Sequence, residues 1–315
     1  MLKQIKEICE KYSLRPWRRR GQNFLISQKI LEKIIEIADL KKDDLVLEVG
    51  PGLGFLTEEL AKRAKKVLAI EIDKNLVGIL EERLKNYQNT KPRSESYSTT
   101  GAKPCSESYS TTGVEIIKED ILSAETEKII FNWLKENLKD KTPTPKGRGS
   151  DLQSVGGYKI VANLPYNITS RFLRIFLSSK FKPESMVLMI QKEVGERIIA
   201  KPPQMSKLSV MVQFYTQPKI VFKVKKENFW PKPKVESAIL RLILFEREKI
   251  DEDKFFKILR AGFLSPRKYL LNNLEKGGVI KKEEGEKIFN QLGFSPKIRA
   301  QELSVEDWRK IYFTI

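Results

Sequence analysis

No histidine occurs anywhere in the 315 residues. That removes serine–histidine and cysteine–histidine catalysis and every histidine-containing metal site. Cysteine is almost as scarce. Cys9 and Cys105 stand far apart with no partner spacing, which excludes a zinc cluster and a disulfide framework. No run of about 18 apolar residues is present, so no membrane span is expected. The opening Met1-Leu2-Lys3-Gln4-Ile5-Lys6 is mixed and charged rather than an apolar signal core, and a cytoplasmic location is the expectation. Any catalysis must therefore use carboxylates, amides, hydroxyls, backbone groups or a cofactor, with no metal.

What the chain has in excess is positive charge. Its formal net charge is +18, and such a balance attracts polyanions, nucleic acid first among them. A hydrophobic content of 40% with 32% charged residues reads as globular. The length accommodates one large core plus a smaller second domain.

Strand and helix patterns alternate through the first part. Leu45–Val49 reads as a strand, Phe55–Ala64 as a helix, Val67–Ile72 as a strand and Asp73–Tyr87 as a helix. Further strands are expected at Val114–Ile117, Lys159–Ala162, Met186–Ile190 and Val235–Phe245. Leu208–Tyr215 and Ile220–Val224 are left open between strand and helix. The pattern implies an α/β fold: a doubly wound, mostly parallel sheet. From Asp251 onward it turns helical. The expected domains are thus 1–246, carrying the sheet, and 247–315, a small all-helical C-terminal domain.

Two polar insertions interrupt the first domain, at about 88–113 and 139–157. The first contains an octapeptide, Ser94–Gly101, repeated letter for letter as Ser106–Gly113. So short and polar a duplication cannot bury a core and is expected to be a flexible loop. Both insertions follow a helix and precede a strand, so they should project from the edge opposite the strands' C-terminal ends.

Ligands of such sheets bind at those C-terminal ends, and that is where the informative residues fall. Gly50-Pro51-Gly52-Leu53-Gly54 follows the first strand, a loop through which backbone amides can approach a ligand. It departs from the dinucleotide fingerprint, which needs a third small residue where Phe55 stands. Glu71 ends the next strand, where a carboxylate can hold two ribose hydroxyls, and Asp120 ends the third, placed for an adenine amino group. Together these favour S-adenosylmethionine over a nicotinamide dinucleotide. Asn163-Leu164-Pro165-Tyr166 ends a fourth strand. Asn163 offers a side-chain carbonyl, Leu164 a backbone carbonyl and Tyr166 a flat face, while Pro165 fixes the turn. This set suits the exocyclic amino group of a planar base, although an ordinary Asn-x-Pro turn fits the same residues equally well.

In this order the motifs resemble the ribosomal RNA adenine N6,N6-dimethyltransferases, and within them the small-subunit type. The matching residues are Gly21–Leu25, Glu48–Gly54, Glu71, Glu119-Asp120, Asn163–Thr169, Gln191–Val194 and Phe229–Ser237, with weaker matches at Phe263–Leu274 and Arg299–Ser304. The likeness covers nearly the whole chain except the two insertions. It implies a seven-stranded class I methyltransferase (Rossmann-like) sheet followed by an RNA-binding helical domain, and dimethylation of two adjacent adenosines near the 3′ end of small-subunit rRNA within an immature subunit. It also implies that Asn23 and Leu25 line the methionine end of the cofactor, Gly50 contacts it through the backbone, Glu71 holds the ribose and Asp120 reads the adenine. Asn163, Leu164 and Tyr166 would form the target site, Asn163 also bordering the cofactor, with Phe229 as a second aromatic against the base. A monomer is expected. Pro266 and Tyr269 replace residues usually basic or small in the family, which bears on RNA contacts of the second domain. Lys219, Lys223, Lys225, Lys226, Lys232 and Lys234 cluster near the Phe229 turn as a candidate phosphate-binding face, and Arg18–Arg20 are read the same way. Three other readings stay open: a large-subunit rRNA dimethyltransferase of the macrolide-resistance kind, a non-catalytic RNA-binding assembly factor, and a DNA adenine methyltransferase.

Overall fold

A computed structural model of the chain describes residues 1–16, 22–89, 109–111, 113–138, 157–245 and 250–315. The elements begin with α1 (Leu2–Lys11), β1 (Phe24–Leu25), α2 (Gln28–Ala38), β2 (Leu45–Val49), α3 (Phe55–Ala61), β3 (Lys66–Glu71) and α4 (Lys74–Asn89). They continue with β4 (Tyr109–Thr111), β5 (Val114–Lys118), α5 (Ala124–Asn137), β6 (Tyr158–Asn163), α6 (Thr169–Ser178), β7 (Ser185–Gln191) and α7 (Lys192–Ile198). Then come α8 (Lys207–Tyr215), β8 (Thr216–Val224), β9 (Phe229–Trp230) and β10 (Ser237–Leu244), followed by α9 (Glu252–Gly262), α10 (Leu270–Lys276), α11 (Lys282–Gln291) and α12 (Val305–Thr314).

Eight strands form one sheet in the order β4-β5-β3-β2-β6-β7-β10-β8, and β1 pairs with β9 as a separate ribbon. The run from β5 through β3, β2 and β6 to β7 is parallel, whereas β10 lies antiparallel to β7. Every residue of β2 is buried, the signature of a strand covered on both faces. One cover is α2, whose Leu31, Ile34, Ile35 and Ala38 recur at helical spacing and are all buried. They join Val46, Val67, Ala69, Val161 and Met189 of the sheet in one apolar core.

The six strands expected by range are all there, and Ile220–Val224, left open, falls in β8 and makes up the seven that the resemblance implies. The eighth, β4, overturns part of one expectation. Tyr109–Thr111 belongs to the second octapeptide copy, expected as loop, yet it pairs antiparallel with β5, Tyr109 opposite Ile116 and Thr111 opposite Val114. Tyrosine and threonine suit a pleated edge, and the free edge of β5 supplies their hydrogen-bonding partners. The remaining expectations for the insertions, like those for Arg18–Arg20 and for the point of division between residues 246 and 247, fall outside the described residues.

The chain divides into two compact units, Met1–Lys192 with Ile220–Leu244, and Glu193–Lys219 with Phe245–Ile315. The division differs from the expected 1–246 and 247–315, because Glu193–Lys219 groups with the C-terminal helices. Its Leu208–Tyr215, open between strand and helix, is the helix α8, started by a capping box between Ser206 and Ser209. In the second unit Phe214 of α8 stacks on Phe255 of α9 at 4.5 Å. Gly262 of α9 admits Trp308 of α12 so closely that a Cβ there would stand 2.3 Å from the indole. Among the described residues no helix is long and apolar enough to cross a membrane, and no cluster of His, Cys, Asp or Glu could hold a metal ion.

Candidate active site

The glycine loop after β2 is shaped by backbone conformation. Gly50, Gly52 and Gly54 have φ of +63°, +59° and +83°, a region that glycine enters without steric cost. At Gly54 space forbids a side chain as well, since a Cβ would lie 2.3 Å from Leu80. A Cβ on Gly50 would point at the Pro165 ring, 3.7 Å away. The loop after β2 and the turn after β6 therefore face each other across a narrow gap. Arg83 of α4 clamps the same loop from behind. It donates to the Leu53 carbonyl at 2.7 Å, pairs with Glu58 of α3 at 2.5 Å, and lies over the Phe55 ring at 4.1 Å.

Three carboxylates surround this loop. Glu71, the last residue of β3, accepts the Gly52 N–H on Oε2 (3.2 Å) and the Asp73 N–H on Oε1 (3.0 Å). Burial raises its carboxyl above the usual range, and those two N–H groups oppose the shift. Asp120, just past β5, accepts the Leu122 N–H at 2.9 Å, and its carbonyl takes the Thr126 hydroxyl at 2.6 Å. Glu48 is different. It is 1% exposed, and its Oε2 has no hydrogen-bond partner among the described residues. Burial pushes its carboxyl up to about 8, the Thr57 hydroxyl opposing the shift and the nearby charge of Glu71 adding to it.

At the end of β6, Asn163 Nδ2 donates to the Asn23 carbonyl at 3.4 Å, which turns its Oδ1 toward the role of acceptor. The next residue is fixed through its backbone, Leu164 N–H donating to the Met189 carbonyl of β7 at 3.1 Å. Asn23 is itself held because the ribbon of β1 and β9 pairs Phe24 with Trp230 and Leu25 with Phe229. Tyr166 is half-buried, and its hydroxyl meets Ser237 Oγ at 2.6 Å.

One cavity of about 480 Å³ gathers Asn23, Leu25, Gly50, Glu71, Asp120 and Asn163. All six residues that the resemblance assigned to the cofactor thus share one wall system, within the size range of ligand sites. Leu164, Tyr166 and Phe229 do not line it. Phe229 is 3% exposed and packs in the apolar core. So placed, its ring offers no open face for contact with a base.

Sequence reasoning gave no role to Glu48, Ile72 or Ile121, which also line the cavity. Each had a signal: a carboxylate inside an otherwise apolar strand, and an apolar residue directly after Glu71 and after Asp120. Ile72 is 59% exposed and leaves an apolar face open at the edge of the cavity. The walls fit S-adenosylmethionine. A glycine cradle admits close backbone approach, Glu71 and Asp120 offer acceptors to ribose and adenine, and the orphaned Glu48 oxygen suits a cationic end.

Comparison with known proteins shows which family the chain resembles. The family model for ribosomal RNA adenine dimethylase matches residues 17–96 and 102–315. The chain is 41% identical over 314 residues to a ribosomal RNA small subunit methyltransferase A of Dehalococcoides mccartyi strain CBDB1, covering 99% of this chain and 92% of that protein. A protein of the same description from Geobacillus kaustophilus is 34% identical over 98% of this chain and 94% of its own length. Among solved structures, a dimethyladenosine transferase from Plasmodium falciparum superposes with a TM-score of 0.66 at 25% identity, covering 91% of this chain and 95% of the other.

Proposed function

Since the chain belongs to the ribosomal RNA adenine dimethylase family, we propose that it dimethylates N6 of two adjacent adenosines near the 3′ end of small-subunit rRNA, using S-adenosylmethionine. The substrate is an immature small subunit in the cytoplasm, and the enzyme acts as a monomer whose C-terminal helices bind RNA. The observation that carries the reading is the meeting of Asn163 with Gly50, Glu71 and Asp120 around one cavity.

When bound, S-adenosylmethionine supplies an electrophilic methyl group on a sulfonium. Gly50, Asn23 and Leu25 would hold its methionine end, Glu71 its ribose and Asp120 its adenine. The chain's part in the chemistry is to make a poor nucleophile act. The N6 lone pair of adenine is delocalised into the ring. Asn163 Oδ1 and the Leu164 carbonyl would accept the two N6 hydrogens, drawing the nitrogen toward tetrahedral geometry and stabilising the positive charge that grows on it. The bound cofactor would supply one methyl group per transfer, and these two acceptors would hold N6 in place while its displaced proton passes to solvent. No histidine or cysteine is needed for such an in-line displacement. Positioning supplies much of the rest, with Tyr166 stacking on a base taken out of its helix.

The test uses methyl-labelled S-adenosylmethionine with immature small subunits, large-subunit RNA and duplex DNA, comparing wild type with Asn163→Ala. Label on small-subunit adenosines, lost in the variant, is the expected result. Label on large-subunit RNA or DNA instead would reassign the substrate, and RNA binding without transfer would make the protein an assembly factor.

A further inference from the structure

The stretch Val235-Glu236-Ser237 stands among the family motifs but has no part in the chemistry described so far. In the fold it meets Tyr166. Ser237 is 0% exposed and opens β10, directly opposite Gln191, the last residue of β7. Its neighbour is tied twice to Lys192, whose N–H donates to the Glu236 carbonyl at 3.0 Å and whose Nζ bridges Glu236 Oε2 at 2.9 Å. Ser237 Oγ is thus a fixed point set by strand register, and the Tyr166 hydroxyl is hydrogen-bonded to it at 2.6 Å.

A half-buried tyrosine on a turn has no need to send its hydroxyl inward, since water would serve it equally well. Here the polar tip is anchored in the interior while part of the ring stays accessible. Tethering the far end of the ring fixes the first side-chain torsion and the direction of the ring's long axis, so where the ring lies is determined by β10 as well as by the turn that carries it. We propose that Ser237 is a positioning residue for methyl transfer, fixing the place and long axis of the Tyr166 ring on which the target adenine stacks. The inference rests on the proposed stacking role of Tyr166. It explains why the Gln191-Lys192 and Glu236-Ser237 motifs accompany the Asn163–Tyr166 turn: the paired ends of β7 and β10 form the bracket that holds the aromatic plate.

The experiment is a double-mutant cycle on the full-length enzyme with an immature small-subunit substrate. It measures kcat, KM for the RNA particle, and calorimetric affinity for S-adenosylmethionine in Ser237→Ala, Tyr166→Phe, the double variant and Ser237→Thr. One neutral hydrogen bond corresponds to about a tenfold change in rate at the upper end of its worth. The single variants should each lower kcat by about that factor, with cofactor affinity unchanged, and the double variant should be no worse than either one. Ser237→Thr, which keeps the hydroxyl, should recover most of the rate. If Ser237→Ala fails to fold, Tyr166→Phe removes the same bond from the more exposed partner and still decides the matter. Wild-type kcat in Tyr166→Phe, or losses that multiply in the double variant, would overturn the proposal. Tyr166→Ala separates the two layers. A wild-type rate there removes the stacking reading and this inference with it, whereas a large loss there beside an unaffected Ser237→Ala removes only the tether.

Discussion

Glu48 offers the most quantitative test of the site. Its carboxyl is buried without a partner for Oε2, and its folded pKa of about 8 compares with an ordinary value of 4.5. Because the folded value is the higher one, the associated stability is fully present below about pH 4.5 and is lost as pH rises through about 8. Each pKa unit corresponds to about 1.4 kcal/mol, so the gap sets a ceiling near ~5 kcal/mol. Between about pH 5 and about pH 9 the cost should grow by about 2 to 4 kcal/mol, the lower figure allowing for relaxation and water entry around the charge. Glu48→Gln removes the titration and keeps the shape. The assay is urea unfolding of both proteins, without cofactor, across that pH range. What counts is the change in their difference, since any fixed penalty for burying an amide cancels. The variant should gain on the wild type steadily as pH rises. Parallel pH profiles would refute the argument, for they would mean that Glu48 ionises as easily in the fold as out of it. Saturating S-adenosylmethionine should flatten the wild-type slope, because positive charge in the same cavity favours the carboxylate.

Other outcomes follow from the same packing. Gly54→Ala adds a strained φ of +83° to a 2.3 Å collision with Leu80, and should cost about 2 kcal/mol or more in thermal unfolding together with most cofactor affinity. Arg83→Met releases the Leu53 carbonyl and Glu58 at once. It should weaken S-adenosylmethionine binding by about tenfold in calorimetry, with Arg83→Lys restoring only part, because one ammonium cannot span both acceptors. Gly262→Ala drives a methyl group into Trp308 and should destabilise the second unit by about 1 to 3 kcal/mol, read as earlier loss of tryptophan signal, with S-adenosylmethionine affinity unchanged. Lys223, Lys225, Lys232 and Lys234 are exposed, Lys232 being paired with Glu227 at 2.7 Å. Replacing Lys225 and Lys234 by Gln should reduce the slope of log RNA affinity against log salt by about one to two.

The parts of the fold legible in the sequence were those set by local chemistry. A glycine loop between a strand and a helix, acids at strand ends and an Asn-Leu-Pro-Tyr turn each mark a position within a few residues, and the parallel sheet brings all the tips to one edge. What stayed hidden depends on register between distant segments. Phe229 looked like an open aromatic because nothing near it in sequence reveals the two-residue pairing with Leu25. The bond from Tyr166 to Ser237 spans 71 residues and follows from the alignment of β10 with β7. Arg83 lies 30 residues beyond the carbonyl it holds, and no local pattern marks it. The octapeptide carries too few apolar residues to read as a strand, yet an unpaired neighbouring edge was enough to order Tyr109–Thr111. Glu193–Lys219 looked continuous with the sheet domain because its helical packing partners lie far downstream.

The glycines at which the chain rejoins the sheet have a practical side. Gly113 leads into β5 with φ of +87° and its carbonyl takes the Val67 N–H at 2.7 Å, while Gly157 leads into β6 with φ of +89° and donates to Glu184 at 3.2 Å. Each works as a ratchet stop, fixing the phase of its strand at the first residue whatever length of chain arrives from upstream. The working tips lie a whole strand away, roughly 16 to 20 Å at the usual rise per residue. Extra sequence can therefore accumulate before Gly157 without moving Asn163, whereas the segment just before Gly113 is taken up by the pairing of β4 with β5. The Gly157 junction is where a fluorescent or affinity module could be spliced into the enzyme.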